Sequence, residues 1–208
     1  MLREEQLTDP AAIEILNGAS ELFMRYGVKS ITMDEIARHL SISKKTIYQH
    51  FSDKDELVLI FAKVILQKQQ DHILALENNF TNIIEGIMHM SDFVRSTVCN
   101  INPSLLFDLK KYFPKAWKIF QTHKKEFLKD HIKRMLVRGV EQGYFRNDIN
   151  LEVIARMRIE IIEMAFNPDV FPTDEFLMSE VNIQMFKHFM IGISTLKGYE
   201  EFNKLQSI

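Results

Sequence analysis

Ile31-Thr32-Met33-Asp34-Glu35-Ile36-Ala37-Arg38-His39-Leu40-Ser41-Ile42-Ser43-Lys44-Lys45-Thr46-Ile47-Tyr48-Gln49-His50-Phe51-Ser52-Asp53-Lys54-Asp55-Glu56-Leu57 contains two helix starts in close succession. Thr32 and Glu35 have capping-box spacing: the hydroxyl accepts from the third backbone N–H and the carboxylate reaches back to the Thr amide. Ile31 and Ile36 stand at the N′ and N4 positions of a hydrophobic staple around that cap. The helix is short and ends near Leu40. Ser41-Ile42-Ser43 then makes the turn, with Ser43 as the next N-cap and Ile42 and Ile47 repeating the staple. Two short capped helices joined by a three-residue turn form a helix-turn-helix. Ala37 is small where the two helices approach, and Ile47 and Phe51, four apart, face the core together.

The second helix carries chemistry on its outer side. Lys44, Lys45 and Thr46 lie in its first turn, followed by Tyr48, Gln49 and His50. The first turn of a recognition helix is the part that enters the DNA major groove. Two lysines there oppose the positive end of the helix macrodipole, and a phosphate-rich partner removes the conflict. Thr46 and Gln49 suit base edges or phosphate, and carbon of Thr46 and Tyr48 suits a thymine methyl. Lys54 and the first turn of the next helix suit a phosphate. Singly, each has a blander reading: solvated lysines, a half-core tyrosine, a surface or capping histidine, and Thr32 as a cap only. Together, on a helix-turn-helix frame, they point to double-stranded DNA.

The rest of the chain bounds this reading. A length of 208 residues is one or two domains at about 150 residues each. With 46% hydrophobic and 26% charged residues, a disordered chain is excluded. Only 5 Pro and 7 Gly argue against a turn-rich sandwich or barrel. The lone Cys99 supports neither an internal disulfide nor a thiolate zinc site, which fits a reducing compartment. The start, Met1-Leu2-Arg3-Glu4-Glu5, carries charges of both signs and leads into no signal-peptide core. The longest apolar run, Leu57 to Ala62, falls far short of the ~20 residues of a membrane span, so the expected setting is cytoplasmic, with no membrane partner. A net charge of −2 supplies no global attraction to polyanions, so binding must come from local charge.

Apolar spacing is helical almost throughout. Ile13, Leu16, Ser20 and Phe23 form one stripe, closed by Gly27. A fourth helix is expected from about Lys54 to Asn78 and a fifth from near Thr81 to Cys99. Pro103 and Pro114 bracket a short segment, and Pro114 opens a long helix ending at Gly143. Helices follow over Asn147–Phe166 and Asp174–Leu196, joined by Asn167-Pro168-Asp169-Val170-Phe171-Pro172. The expected class is all-α with about nine helices: an N-terminal three-helix helix-turn-helix domain, then a larger helical domain. Lys110 to Arg138 is rich in Lys and Arg, and a solvated helix face outweighs a nucleic-acid role there. Catalytic patterns are missing. Glu85/His89 and Glu35/His39 are four apart and unmatched, and there is no His-Glu-x-x-His, P-loop, Gly-x-Gly-x-x-Gly or Gly-x-Ser-x-Gly. No enzyme activity, cofactor or metal is expected. The remaining rival is a protein-interaction module whose helix-turn-helix packs on a protein partner.

The segment resembles the DNA-binding region of the TetR family of transcriptional repressors. The resembling residues are Thr32, Ile36, Ala37, the Ser41-Ile42-Ser43 turn, Thr46, Tyr48, His50-Phe51, Lys54 and Leu57, with Ala19, Phe23 and Tyr26-Gly27 upstream. The likeness covers roughly residues 10–60, and beyond that only helix number and total size agree. It implies a homodimer with a DNA-binding domain over residues 1–54 and an effector-binding and dimerisation domain over 55–208. Carried across, Thr32, Lys44, Thr46, Tyr48, His50 and Lys54 are DNA contacts, to which the residues themselves add Lys45 and Gln49. Ser41 stands where the family commonly has a glycine, and a left-handed backbone there costs a serine roughly 1 kcal/mol.

The resemblance also implies a near-palindromic operator, read by recognition helices about 34 Å apart and released by a small apolar or amphipathic effector. Repression is the default sign, with activation left open. The fourth helix is the expected lever. Met88, Phe93, Phe107, Trp117, Phe120, Met157 and Met164 are the candidates for lining the effector pocket, each also readable as core. The last two helices, with Ile154, Ile161, Ile162, Phe176, Val181, Ile183, Phe186 and Phe189, are the expected dimer contact.

Overall fold

The computed structural model describes residues 8–77, 79–98 and 101–206. The charged start Met1–Glu5, the expected helix end at Asn78 and the lone Cys99 lie outside the described residues. The described chain forms eleven α-helices and no strand: α1 (Pro10–Tyr26), α2 (Met33–His39), α3 (Lys44–His50), α4 (Lys54–Glu77), α5 (Ile83–Val98), α6 (Leu105–Tyr112), α7 (Pro114–His123), α8 (Lys129–Glu141), α9 (Leu151–Met164), α10 (Met178–Ile193) and α11 (Leu196–Gln206). The long helix expected from Pro114 to Gly143 is interrupted by a π-helical turn at Lys124–Leu128, so it counts as α7 and α8. The last expected helix stops at Ile193, and α11 follows it. These two changes turn about nine helices into eleven.

The chain packs as two units. Among the described residues, one holds 8–68 and a return segment over 101–121; the other holds 69–77, 79–98 and 122–206. Thus α6 and most of α7 group with the N-terminal helices. α4 gives its first turns to one unit and its last turns to the other.

In the N-terminal unit, Asp9 caps α1 by accepting from the Ala11 amide at 3.0 Å, with Pro10 at the first helical position. α1 buries Ala12, Ile15, Leu16, Ala19 and Phe23, while Ile13 is exposed, so the buried stripe is rotated from the expected one. Phe23 meets Phe61 edge-to-face at 5.4 Å, and Ile36, Ile47, Phe51 and Leu57 complete the centre of the core. The return segment finishes the end of α1. Asn102 donates its amide to the Met24 carbonyl at 2.6 Å and its side-chain N–H to the Arg25 carbonyl at 3.2 Å. The buried Asp108 carboxylate accepts from the Lys29 amide at 2.9 Å.

The turn after α2 is a Schellman motif. Ile42 N–H donates to Ala37 O at 3.0 Å and Ser41 N–H to Arg38 O at 3.2 Å. That geometry needs a left-handed residue, and Ser41 supplies it at φ 56°.

The C-terminal unit has its own core of Ile83, Ile84, Ile87, Ile132, Leu136, Phe145, Ala155, Ile159, Phe189, Met190, Ile193 and Phe202. α11 docks at Gly198, where a Cβ would stand 2.0 Å from the Tyr144 carbonyl oxygen. Between α9 and α10 the Arg158 guanidinium lies 4.9 Å from the Phe189 ring centre. The Lys124 ammonium, in the π-turn, is buried and pairs with Glu160 at 3.0 Å and with Glu163. His123 and His131 are both held below the ordinary imidazole range by burial.

Two outcomes follow. Ser41→Gly relieves the left-handed strain and raises the stability of the N-terminal unit by about 1 kcal/mol, whereas Ser41→Val lowers it by more, because a β-branched side chain is worse there; urea denaturation of the full chain followed by near-ultraviolet signals measures both. The buried histidines regain the ordinary value near 6.5 when unfolded. Below that pH the unfolded chain therefore takes up more protons than the native one. Stability falls as pH drops from about 7 to about 5.5, by at most about 1.4 kcal/mol per pH unit for each histidine. His123→Phe with His131→Phe flattens that slope.

Candidate functional site

α3 has seven residues, too few to be stable alone, so its orientation is set by what holds it. Ser43 caps it, its hydroxyl accepting from the Thr46 amide at 3.0 Å. Ile47 is its one fully buried residue and Phe51 follows it into the core. At about 100° per residue, fixing Ile47 inward fixes the rest. Lys45 and Gln49, two positions away on either side, point most directly outward. Thr46 and Tyr48 flank them. Lys44 and His50, three positions away, swing back toward the protein.

The side chains follow this arithmetic. Lys45 and Gln49 are exposed, and Lys45 has no ion-pair or hydrogen-bond partner among the described residues. Tyr48 is 45% exposed. Thr46 is half-buried, and its hydroxyl lies 2.8 Å from the Ser43 hydroxyl. Lys44, by contrast, donates to Asp34 of α2 at 2.9 Å, and that bond raises its pKa. His50 Nδ1 lies 2.9 Å from the Asp9 carboxylate, which ties the end of α3 to the start of α1.

Thr32 is exposed but occupied. Its hydroxyl accepts from the Glu35 amide at 3.2 Å and donates to the Glu35 carboxylate at 2.8 Å, while its own amide donates to the same carboxylate at 2.7 Å. These bonds lower the Glu35 pKa. Lys54 turns inward: its ammonium donates to the Lys29 carbonyl at 3.3 Å and stands 5.4 Å from the Phe113 ring centre. Burial lowers its pKa. The structure thus gathers Lys45, Thr46, Tyr48 and Gln49 on one accessible face. Lys44 lies at its edge, and Thr32, His50 and Lys54 are engaged by the fold. Asp34 and Asp9 were not among the expected residues, because their role appears only when α1, α2 and α3 are assembled.

This geometry has known counterparts. The family described as "Bacterial regulatory proteins, tetR family" matches residues 15–59, which span α2, α3 and most of α1. Residues 15–59 thus match the DNA-binding domain of the TetR family. The HTH-type transcriptional regulator YvaF of Bacillus subtilis (strain 168) is 29% identical over 163 residues, covering 74% of this chain and 83% of that one. The HTH-type transcriptional repressor AcnR of Corynebacterium jeikeium (strain K411) is 22% identical over 151 residues, covering 73% and 77%. In fold, a TetR-family transcriptional regulator from Agrobacterium tumefaciens matches with a TM-score of 0.73 at 18% identity, over 89% of this chain and 98% of that one. The matched domain and these relatives make this chain a helix-turn-helix transcriptional regulator. Among its described residues no helix is long and apolar enough to cross a membrane.

The residues expected around the effector are divided between the two units. Phe107, Trp117 and Phe120 belong to the N-terminal unit, where Trp117 packs against the core and Phe107 is 39% exposed. Met88 and Phe93 lie in the C-terminal unit on α5, Met88 against the core and Phe93 stacked on His72 at 3.7 Å. Met157 and Met164 are exposed on α9. None of the seven lines the small, partly open cavity of about 20 Å³ among α4, α5 and α8, nor the open groove of about 720 Å³ beside it.

The divided roles of the two lysines on α3 and α4 separate in one measurement. Lys45→Ala weakens binding to every duplex sequence and lowers the salt slope of log K by about 1 per recognition helix. Lys54→Ala leaves that slope in place and lowers thermal stability. Fluorescence anisotropy against salt concentration, with a melting curve, reads both.

Proposed function

We propose that this chain is a ligand-released repressor that binds a near-palindromic operator as a homodimer. The observation that supports the DNA contact is the accessible face of α3, where Lys45, Tyr48 and Gln49 are exposed and Thr46 lies half-buried beside them. Lys45 and Lys44 take phosphate or base edges, Gln49 and Thr46 take base edges, and Tyr48 offers ring carbon. Thr32, His50 and Lys54 serve this face by fixing the helix starts and ends around it. The DNA-binding part is residues 1–54, α1 to α3, and the effector and dimer functions lie in residues 55–208. AcnR, a relative across most of the chain, is a repressor by name, which supports repression as the sign.

The homodimer contact is placed on α9 and α10. Val153, Met157, Ile161 and Met164 recur at helical spacing along α9, and Val153, Met157 and Met164 are exposed. On α10, Ile191 is 54% exposed although Val181, Phe189, Met190 and Ile193 are buried in its own unit. Two helices that keep apolar sides uncovered after folding suit a four-helix contact with a second copy. Release follows from an effector that binds better to a conformer with a different spacing of the two recognition helices; it shifts the equilibrium by its differential affinity and no more. α4 is the lever, since it begins after α3 and supplies Leu76 and Glu77 to the cavity of the C-terminal unit.

Selection from a random duplex library tests this reading. Enriched sequences carry an inverted repeat with half-sites about one helical turn apart, or a multiple of it. Light scattering gives a dimer at micromolar concentration, and Val153→Glu with Met157→Glu gives a monomer that binds the selected duplex at least about 100-fold more weakly. A monomeric wild type, or a library with no enrichment, overturns the proposal.

A further inference from the structure

The C-terminal unit contains a polar atom that its own fold leaves unmatched. His131 is 4% exposed, and its Nε2 is buried with no hydrogen-bond partner. Its Nδ1 lies 3.4 Å from Glu77 Oε2. Glu77 is held as a carboxylate by Arg134, whose Nε and Nη2 donate to it at 2.8 and 3.0 Å, and these bonds lower its pKa. A carboxylate only accepts, so the proton sits on His131 Nδ1. Burial keeps the ring neutral despite that carboxylate. Nε2 is therefore a lone pair, and a buried acceptor left unmet is costly.

That ring forms part of the wall of the small, partly open cavity, whose other walls include Leu76, Phe80, Ile83, Met90 and Met135. At about 20 Å³ the space is the size of one water molecule. Two of its walls are methionines, whose unbranched side chains repack readily around a guest. Glu77, Phe80 and Arg138 line both this cavity and the open groove. Arg138 donates to the Glu77 and Phe80 carbonyls at 2.8 and 2.9 Å, pinning the chain where the two spaces meet. His123 Nε2 is also buried without a partner, but His123 lines neither space.

We propose that His131 is the polar anchor of the effector site, and that the effector is a neutral amphipathic molecule donating a hydroxyl or N–H to Nε2 while its apolar body displaces Met90 and Met135. This names the ligand class for the regulator proposed above and rests on that reading. Anions are disfavoured: a carboxylate or phosphate brings no donor to a neutral acceptor and meets the Glu77 charge. The charged groups around the ring are Glu77, Arg134 and Arg138, and the two arginines are already spent on Glu77 and on backbone carbonyls.

Phenol, toluene and benzoate are matched probes for this site, titrated into the full chain. Phenol shifts the Met90 and Met135 methyl resonances and the ¹⁵N resonance of His131 Nε2, and binds at least about tenfold more tightly than toluene, the value of one satisfied hydrogen bond. Benzoate does not compete. His131→Phe abolishes the preference for phenol over toluene; if that variant fails to fold, the wild-type ¹⁵N shift decides. Equal binding of phenol and toluene, an unmoved Nε2 resonance, or no phenol binding overturns the proposal. A wild-type chain that binds its selected duplex but ignores phenol overturns the His131 site alone. One that takes phenol at His131 but selects no duplex overturns the regulator reading and leaves the site standing.

Discussion

The burial of one side chain, Ile47, governs the outer face of the protein. A seven-residue helix has no stability to spare and no second apolar residue within its span to share the anchoring. Ser43 at its start and Phe51 just past its end hold it along its axis, and the staple from Ile42 holds its entry angle. Rotating α3 by one residue would bury Tyr48 or Thr46 and bring Ile47 into water, at a cost of about 2 kcal/mol for the apolar side chain alone. The left-handed Ser41 is part of the same constraint. Its strain is tolerated because the Schellman turn it permits is what brings the α3 cap to the end of α2. The accessible quartet on α3 is thus a consequence of the inner face, not an independent feature.

That dependence explains what could be read in advance. The capping box at Thr32–Glu35, the cap at Ser43 and both staples are local, because each joins residues within five positions of one another. The left-handed turn at Ser41 was visible for the same reason. The partners of the outward residues were not. Asp34 reaches Lys44 from another helix, Asp9 at the start of α1 meets His50 at the end of α3, and Lys54 is drawn in by the Lys29 carbonyl and by Phe113. Each pairing joins elements that only the packed core brings together. In α1, Ala12, Ile15 and Ala19 are buried and Ile13 is not, since a small residue at a close helix crossing signals burial as strongly as a large one. α11 is not legible in the sequence because its docking relies on the bare backbone at Gly198 and on Phe202, not on a long apolar stripe.

The effector residues illustrate a different limit. Met88, Phe93, Phe107, Trp117, Phe120, Met157 and Met164 were chosen by residue type, and large apolar side chains serve cores, interfaces and pockets alike. The fold assigns them to several of these settings. A polar group at a core position is more informative, because the fold must explain it or leave it unmatched. Phe127, His131 and Met135 recur at four-residue spacing along one side of the helix, and the histidine in that apolar row was the available signal.

The Lys44–Asp34 pair bears on how a chain of net charge −2 manages DNA. Affinity for phosphate comes largely from releasing the counterions condensed on the duplex, in proportion to the positive charges brought to it. A lysine already neutralised by its own protein must exchange one carboxylate for one phosphate, and Asp34 is then left facing the polyanion. Lys44 therefore adds little to binding at random sequence, where contacts are loose, and most where Lys45, Thr46 and Gln49 seat the helix closely enough for the exchange to be worthwhile. The same ion pair weakens non-specific attraction more than specific attraction, which widens the ratio between them. On the proposed reading of α3 as the DNA-binding helix, selectivity would draw partly on a negative charge placed beside it, an arrangement that maximal affinity alone would not favour.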